Sequence, residues 1–229
     1  MQTVFFIKKG WGRLIISQVL SIFVFIILLY AAFLNQSESV WIGKTFYFLV
    51  SQTEHIEAGA YDVQLQSGAG SLLEYSGREY VVWAVYLDGE DGRMVQAAIA
   101  ANGENISLLQ MDAEKLYFKS YREKKNASLY QGALNCLYGC MEVLGLEIER
   151  LDNGATQQSS KRTLSLLLKQ LLYLPLEYET EFVEYANICK DMAESLNEVL
   201  LNTIYTKDLR YLMCDMAIKY LQLTSKFLI

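Results

Sequence analysis

The chain has 229 residues, 52% of them hydrophobic, and a formal net charge of -6. That much apolar content excludes a disordered chain. The acidic balance argues against a nucleic-acid partner, which favours a basic face. A single proline in the whole sequence predicts long helices, because proline removes a backbone donor and breaks them.

From Leu14 to Leu34 no charge occurs, and only Ser17, Gln18 and Ser21 interrupt the apolar run. At about 1.5 Å per residue, such a run crosses a hydrocarbon core of about 30 Å. Trp11 lies near one end and Tyr30 and Trp41 near the other, as interfacial aromatics do. Lys8, Lys9 and Arg13 precede the run and only Lys44 closely follows it. Positive-inside bias therefore predicts that residues 1–37 are a cytoplasmic N-terminus followed by an N-terminal transmembrane helix, with an extracytoplasmic body. The competing reading is a cleaved signal peptide. The apolar stretch exceeds its usual core of about 7–15 residues, and Ala31 and Ala32 are adjacent rather than spaced. Trp11, Arg13 and Tyr30 are the expected membrane anchors.

Thr45 to Val50 is a β-branched and aromatic run that predicts a strand. Glu54 to Gln66 reads equally as a short helix or an alternating strand, and Gly68-Ala69-Gly70 breaks it. Ser71 to Tyr75 and Glu79 to Leu87 predict two strands joined at Ser76-Gly77 as a hairpin. Asp88 has the character of an N-cap, with Glu90 and Asp91 at the positive end of the helix dipole. Met94, Val95, Ala98 and Ile99 give that helix an apolar face, Asn102-Gly103 closes it, and Asn105 to Met111 returns as a strand. The order is that of a split βαβ (ferredoxin-like) domain over residues 45–112, in an α+β protein.

Residues 119–126 form a charged linker whose Lys119, Arg122, Lys124 and Lys125 suit either a solvated hinge or contact with anionic polymer or lipid headgroups. Beyond it the chain is helical. Leu134, Leu137, Met141, Leu144 and Ile148 recur at helical spacing from Ala127 to Leu151, and Asn153-Gly154 stops the helix. A Leu-rich helix opens at Ser159 or Ser160 and reaches Leu174, where Pro175 ends or kinks it. Leu176 to about Tyr205 and Lys207 to Leu228 are two more helices. An antiparallel bundle over residues 127–229 buries the four apolar stripes. In the last helix Leu209, Leu212, Met213, Met216 and Tyr220 either close this bundle or dock a partner helix.

Chemistry-bearing residues are sparse. Cys136 and Cys140, four apart on one helical face, have Cβ atoms about 5–6 Å apart, wider than the roughly 3.8 Å of a disulfide. With Cys189 and Cys214 they are expected to be packed thiols. His55 is the single histidine, which leaves no histidine-based metal or nucleophile design. Glu177, Glu179, Glu181 and Glu184 spread over more than one helical face, a solvated pattern. No catalytic residue, metal site or cofactor is expected.

In the strongest strand, alternation sets Tyr80, Val82, Ala84 and Tyr86 on one face and Val81, Trp83 and Val85 on the other. The run Tyr80-Val81-Val82-Trp83-Ala84-Val85-Tyr86 before Glu90-Asp91, with Gly68-Ala69-Gly70 upstream, resembles a divergent SPOR (sporulation-related repeat) domain over about residues 45–112. The resemblance implies a membrane-anchored bacterial cell-envelope protein that binds peptidoglycan glycan strands, stripped of stem peptides, on its open sheet face. Trp83 would then be a stacking platform for a sugar ring, flanked by Val81 and Val85. Against this stands a Trp83 covered by the linker or the bundle. The expected function is peptidoglycan binding in sporulation or cell division, and the alternative is a protein-interaction scaffold working through the helical bundle. Membrane lipid, glycan strands and an envelope protein are the expected partners.

Overall fold

β-Branched and aromatic residues build a four-stranded sheet from β1 (Glu38–Gln52), β2 (Ser71–Tyr75), β3 (Arg78–Tyr86) and β4 (Ser107–Phe118). This is seen in a computed structural model that describes residues 38–52, 71–103, 105–118, 127–178 and 182–225. The strand order is β2-β3-β1-β4, and β3 is antiparallel to both β1 and β2. Ser76 and Gly77, with φ of 52° and 71°, join β2 to β3. Two central residues at positive φ make the turn whose twist matches a hairpin. β1 and β4 are longer than the sequence pattern indicates, and residues 53–70 and 119–126 lie outside the described residues.

Among the described residues five helices accompany the sheet: α1 (Gly89–Ala100), α2 (Ala127–Asp152), α3 (Gln157–Tyr178), α4 (Val183–Leu201) and α5 (Thr206–Ser225). Asp88 caps α1, its Oδ1 accepting from the Glu90 N–H at 2.7 Å. α2 ends where Gly154 takes φ 86°. There the Ala155 and Gly154 N–H groups donate to the Arg150 and Leu151 carbonyls at 2.9 and 3.0 Å, which satisfies the last carbonyls of the helix. Pro175 does not end α3. It is buried near the last turn, and the chain restarts at Val183 rather than Leu176.

The fold is therefore mixed α/β, and the membrane-spanning helix expected from sequence is corrected: no helix among the described residues is long and apolar enough to cross a membrane. The reason is polarity, from uncharged residues such as Gln131 and Asn135 as well as from charges. α2, at 26 residues, is the longest described helix and carries Glu142, Glu147, Glu149 and Arg150. The single-pass, extracytoplasmic reading is set aside accordingly. Leu14 to Leu34, with Trp11, Arg13 and Tyr30, lies outside the described residues.

The sheet and the last four helices belong to one compact unit, residues 39–117 and 126–229. Three cross-links gather one end of the bundle. Arg150 of α2 reaches Thr163 of α3 at 3.5 Å, the Gln157 amide pairs with both backbone groups of Ile204 at 2.8 and 3.0 Å, and Arg210 of α5 bonds Asp152. The C-termini of α2 and α4 thus meet the N-termini of α3 and α5, an up-down-up-down arrangement joined by short loops. Leu134, Leu137, Met141, Leu144, Leu164, Leu171, Leu196 and Leu209 are at most 2% exposed and fill its centre.

One departure from regular pairing decides which sheet face meets the bundle. Leu49 pairs with Ala84, but Val50 pairs with Val82, so Trp83 is an extra residue in β3, a β-bulge. Side-chain alternation restarts there. Phe46, Phe48 and Val50 share a face with Val85 above the bulge and Val82 below it. Tyr47, Leu49 and Ser51 share the opposite face with Tyr86, Ala84 and Val81. The first face meets the bundle: the Phe46 ring lies edge-on to Tyr138 of α2 at 5.9 Å and to Tyr220 of α5 at 5.3 Å. Such pairs contribute about 0.5–1.5 kcal/mol each beyond their buried area. α1 lies on the second face, where a Cβ at Gly89 would stand 2.7 Å from the Tyr47 ring and one at Gly92 3.0 Å from Leu108.

Candidate functional site

The expected sugar platform is not assembled. The bulge sends Val85 to the bundle face and Val81 to the other, so the alternation that grouped them with Trp83 does not survive pairing. Val81 and Val85 are 1% and 5% exposed, which leaves neither free to touch a ligand. Trp83 is half-buried, and its indole N–H donates to Ser51 Oγ at 2.8 Å, so its one polar handle is occupied within the sheet. His55 lies outside the described residues. Leu209, Leu212, Met213, Met216 and Tyr220 are all at most 4% exposed: this stripe closes its own bundle.

The cysteines are buried chemistry rather than a reactive site. All four are free thiols, with Cys140, Cys189 and Cys214 buried and Cys136 half-buried. Burial pushes the Cys140 and Cys214 thiols up to about 12 and the Cys189 thiol up to about 11. A thiol that stays protonated is a poor nucleophile and a poor metal ligand. Among the described residues no group of three or more His, Cys, Asp or Glu side chains is placed to hold a metal ion.

What the fold does assemble is a cleft of about 530 Å³ where β1 and the start of α1 meet α2. β1 supplies Lys44, Thr45 and Tyr47, the α1 entry supplies Asp88, Gly89, Glu90 and Arg93, and α2 supplies Tyr138. Each is held by a local cause. Lys44 and Phe46 have the same strand parity, so the Lys44 ammonium comes 3.8 Å from the centroid of the Tyr138 ring, a cation–π contact. Thr45 Oγ1 donates to Asp112 Oδ1 at 2.7 Å, and Gln110 Nε2 steadies that carboxylate at 3.2 and 3.5 Å. The phenol end of Tyr47 packs close against Gly89, an approach that a Cβ would crowd. Arg93 Nε donates to the Gly89 carbonyl at 3.1 Å, so its guanidinium is drawn back over the start of α1.

The electrostatics are mixed in sign. Lys44 and Arg93 line the same opening as Asp88 and Glu90. Burial, then Glu142, Asp88 and Tyr47, raise the Tyr138 hydroxyl above its ordinary value, so it stays a neutral hydrogen-bonding group at physiological pH. The half-buried Tyr47 ring, two cations and two carboxylates around an open cleft can grip a ligand with an apolar ring face and many hydroxyl or amide groups.

Sequence reasoning singled out only the cap here. Asp88 and Glu90 were legible as a helix start, whereas Lys44 read as a flank of the apolar N-terminal run and Tyr138 as an undistinguished position in a helix. The cation–π pair between them joins residues far apart in sequence, and no local pattern announces it. No protein-family model, curated protein or solved structure matches this chain.

Proposed function

We propose that this is a non-catalytic glycan-binding protein that takes a polysaccharide strand, with peptidoglycan glycan as the specific ligand, in the cleft between β1, α1 and α2. The observation that carries the reading is the lining: the half-buried Tyr47 ring beside Thr45, Asp88, Glu90 and Arg93, with Lys44 lying over the buried Tyr138 ring. Aromatic surface covers the apolar face of a sugar ring, and charged donors and acceptors at its rim pair with hydroxyl and N-acetyl groups. The cleft volume of about 530 Å³ falls within the roughly 300–1,000 Å³ usual for small-ligand sites. This moves the sugar contact expected from the SPOR-like pattern away from Trp83, whose indole N–H is used by Ser51, to the open end of β1.

The test is co-sedimentation of the protein with purified peptidoglycan strands stripped of stem peptides. Lys44→Ala and Glu90→Gln remove charged hydrogen-bonding groups from the rim. Each should weaken retention about tenfold, the equivalent of one charged hydrogen bond, with an unchanged circular dichroism spectrum. Trp83→Phe should leave retention as it is. Retention that ignores both rim substitutions, or that is lost with Trp83→Phe alone, refutes the cleft as the glycan site.

A further inference from the structure

The outer face of α3 is basic and apolar in an acidic protein. From Gln157 to Leu176 the sequence contains no carboxylate and carries Lys161, Arg162 and Lys169, although the net charge of the chain is -6. On the same helix Leu166, Leu172 and Tyr173 are 63%, 55% and 62% exposed. The inner face is already closed by Leu164, Leu167 and Leu171, each at most 2% exposed, so these outward side chains are not needed by the bundle. Arg162, Leu166, Lys169 and Tyr173 follow one another at spacings of four, three and four and form one ridge along the helix. An isolated exposed leucine needs no explanation; large apolar side chains alternating only with cations along one ridge do.

We infer that this ridge docks an acidic amphipathic helix of a partner protein, pairing its carboxylates with Arg162 and Lys169 and its apolar side chains with Leu166 and Tyr173. The two cations are seven residues apart, about 10.5 Å along the axis, and match carboxylates two turns apart on a facing helix. Charge excludes the other occupants. A face that inserts into lipid keeps its apolar sector free of charge, whereas Lys169 stands between Leu166 and Tyr173. A symmetric contact with a second copy brings like cations together. The ridge uses none of the cleft residues, so the inference stands apart from glycan binding.

Two synthetic helical peptides with the same leucine stripe test it, one carrying glutamates at seven-residue spacing and the other lysines in their place. Their binding to the full chain is read by fluorescence anisotropy. The acidic peptide should bind at least about tenfold tighter than the basic one, and more tightly at low salt than at high. Leu166→Ala with Tyr173→Ala should cost about tenfold, and Arg162→Glu with Lys169→Glu should reverse the preference while the circular dichroism spectrum is kept. Equal affinity for both peptides, or a preference unmoved by charge reversal, overturns the inference. So does self-association abolished by Tyr173→Glu, or binding to phosphatidylglycerol vesicles abolished by Lys169→Glu.

Discussion

α1 and α5 approach the same sheet from opposite sides and are held by different physics. α5 buries Leu209, Leu212, Met213, Met216, Ala217 and Tyr220, and the last of these meets Phe46 ring to ring. α1 buries only Gly89 and Gly92. Met94 is 59% exposed and Val95 and Ile99 are half-buried, so the apolar face expected for this helix does little of the holding. One side of the sheet is fixed by apolar volume. On the other side Leu49 and Val81 are buried too, but α1 itself comes in by close backbone approach at Gly89 and Gly92 and a capped start, and there a cleft stays open. The lesson is that a sheet with one face sealed by a bundle can leave its other end for binding without endangering the core.

The largest expected effect breaks the sealed side with alkali. Cys140, Cys189 and Cys214 have pKa values raised from 9.0 to about 12, 11 and 12. The unfolded chain therefore releases these protons first as pH rises. Their contribution to stability is complete below about pH 9 and is lost as pH climbs toward the folded values. The urea midpoint should hold steady from pH 7 to 8.5 and fall steeply toward pH 11. The fall should be shallower when the three cysteines are replaced by alanine. A midpoint with the same pH dependence in both proteins contradicts the assignment.

Next in size, Phe46→Ala empties the wedge between Tyr138 and Tyr220 and should cost about 3–5 kcal/mol in chemical denaturation. On the α1 side, Gly89→Ala drives a Cβ into the Tyr47 ring and should cost about 1–3 kcal/mol, the range for overpacking. It should weaken glycan retention as well, because Tyr47 lines the cleft. Asp88→Ala removes the cap of α1 and should cost about 1 kcal/mol, read most clearly as faster amide exchange in the first turn of α1. If Asp88→Ala costs as much as Phe46→Ala, the contrast between the two sides of the sheet is wrong.

Local chemistry made much of this fold legible. Ser76-Gly77 marks the hairpin, Asp88 the start of α1, Gly154 the end of α2, and the leucine and methionine stripe of α5 its buried face. What depended on distant partners was not legible. The alternation from Tyr80 to Tyr86 is regular in sequence, and only the register with β1 reveals Trp83 as the bulged residue that redistributes Val81 and Val85. Pro175 reads as an end or a kink, and of these the end is overturned, because α3 runs past it to Tyr178. The cleft joins β1, the α1 entry and the middle of α2, three segments that carry no shared motif.

Backbone amide shifts of the isotopically labelled full chain, titrated with stem-free peptidoglycan strands, test the cleft most directly. Changes centred on Lys44, Thr45, Gly89 and Glu90, with Val81 and Val85 still, are what glycan binding in the cleft requires. Changes centred on the β3 bulge with none at the start of α1, or no saturable change anywhere, would contradict it.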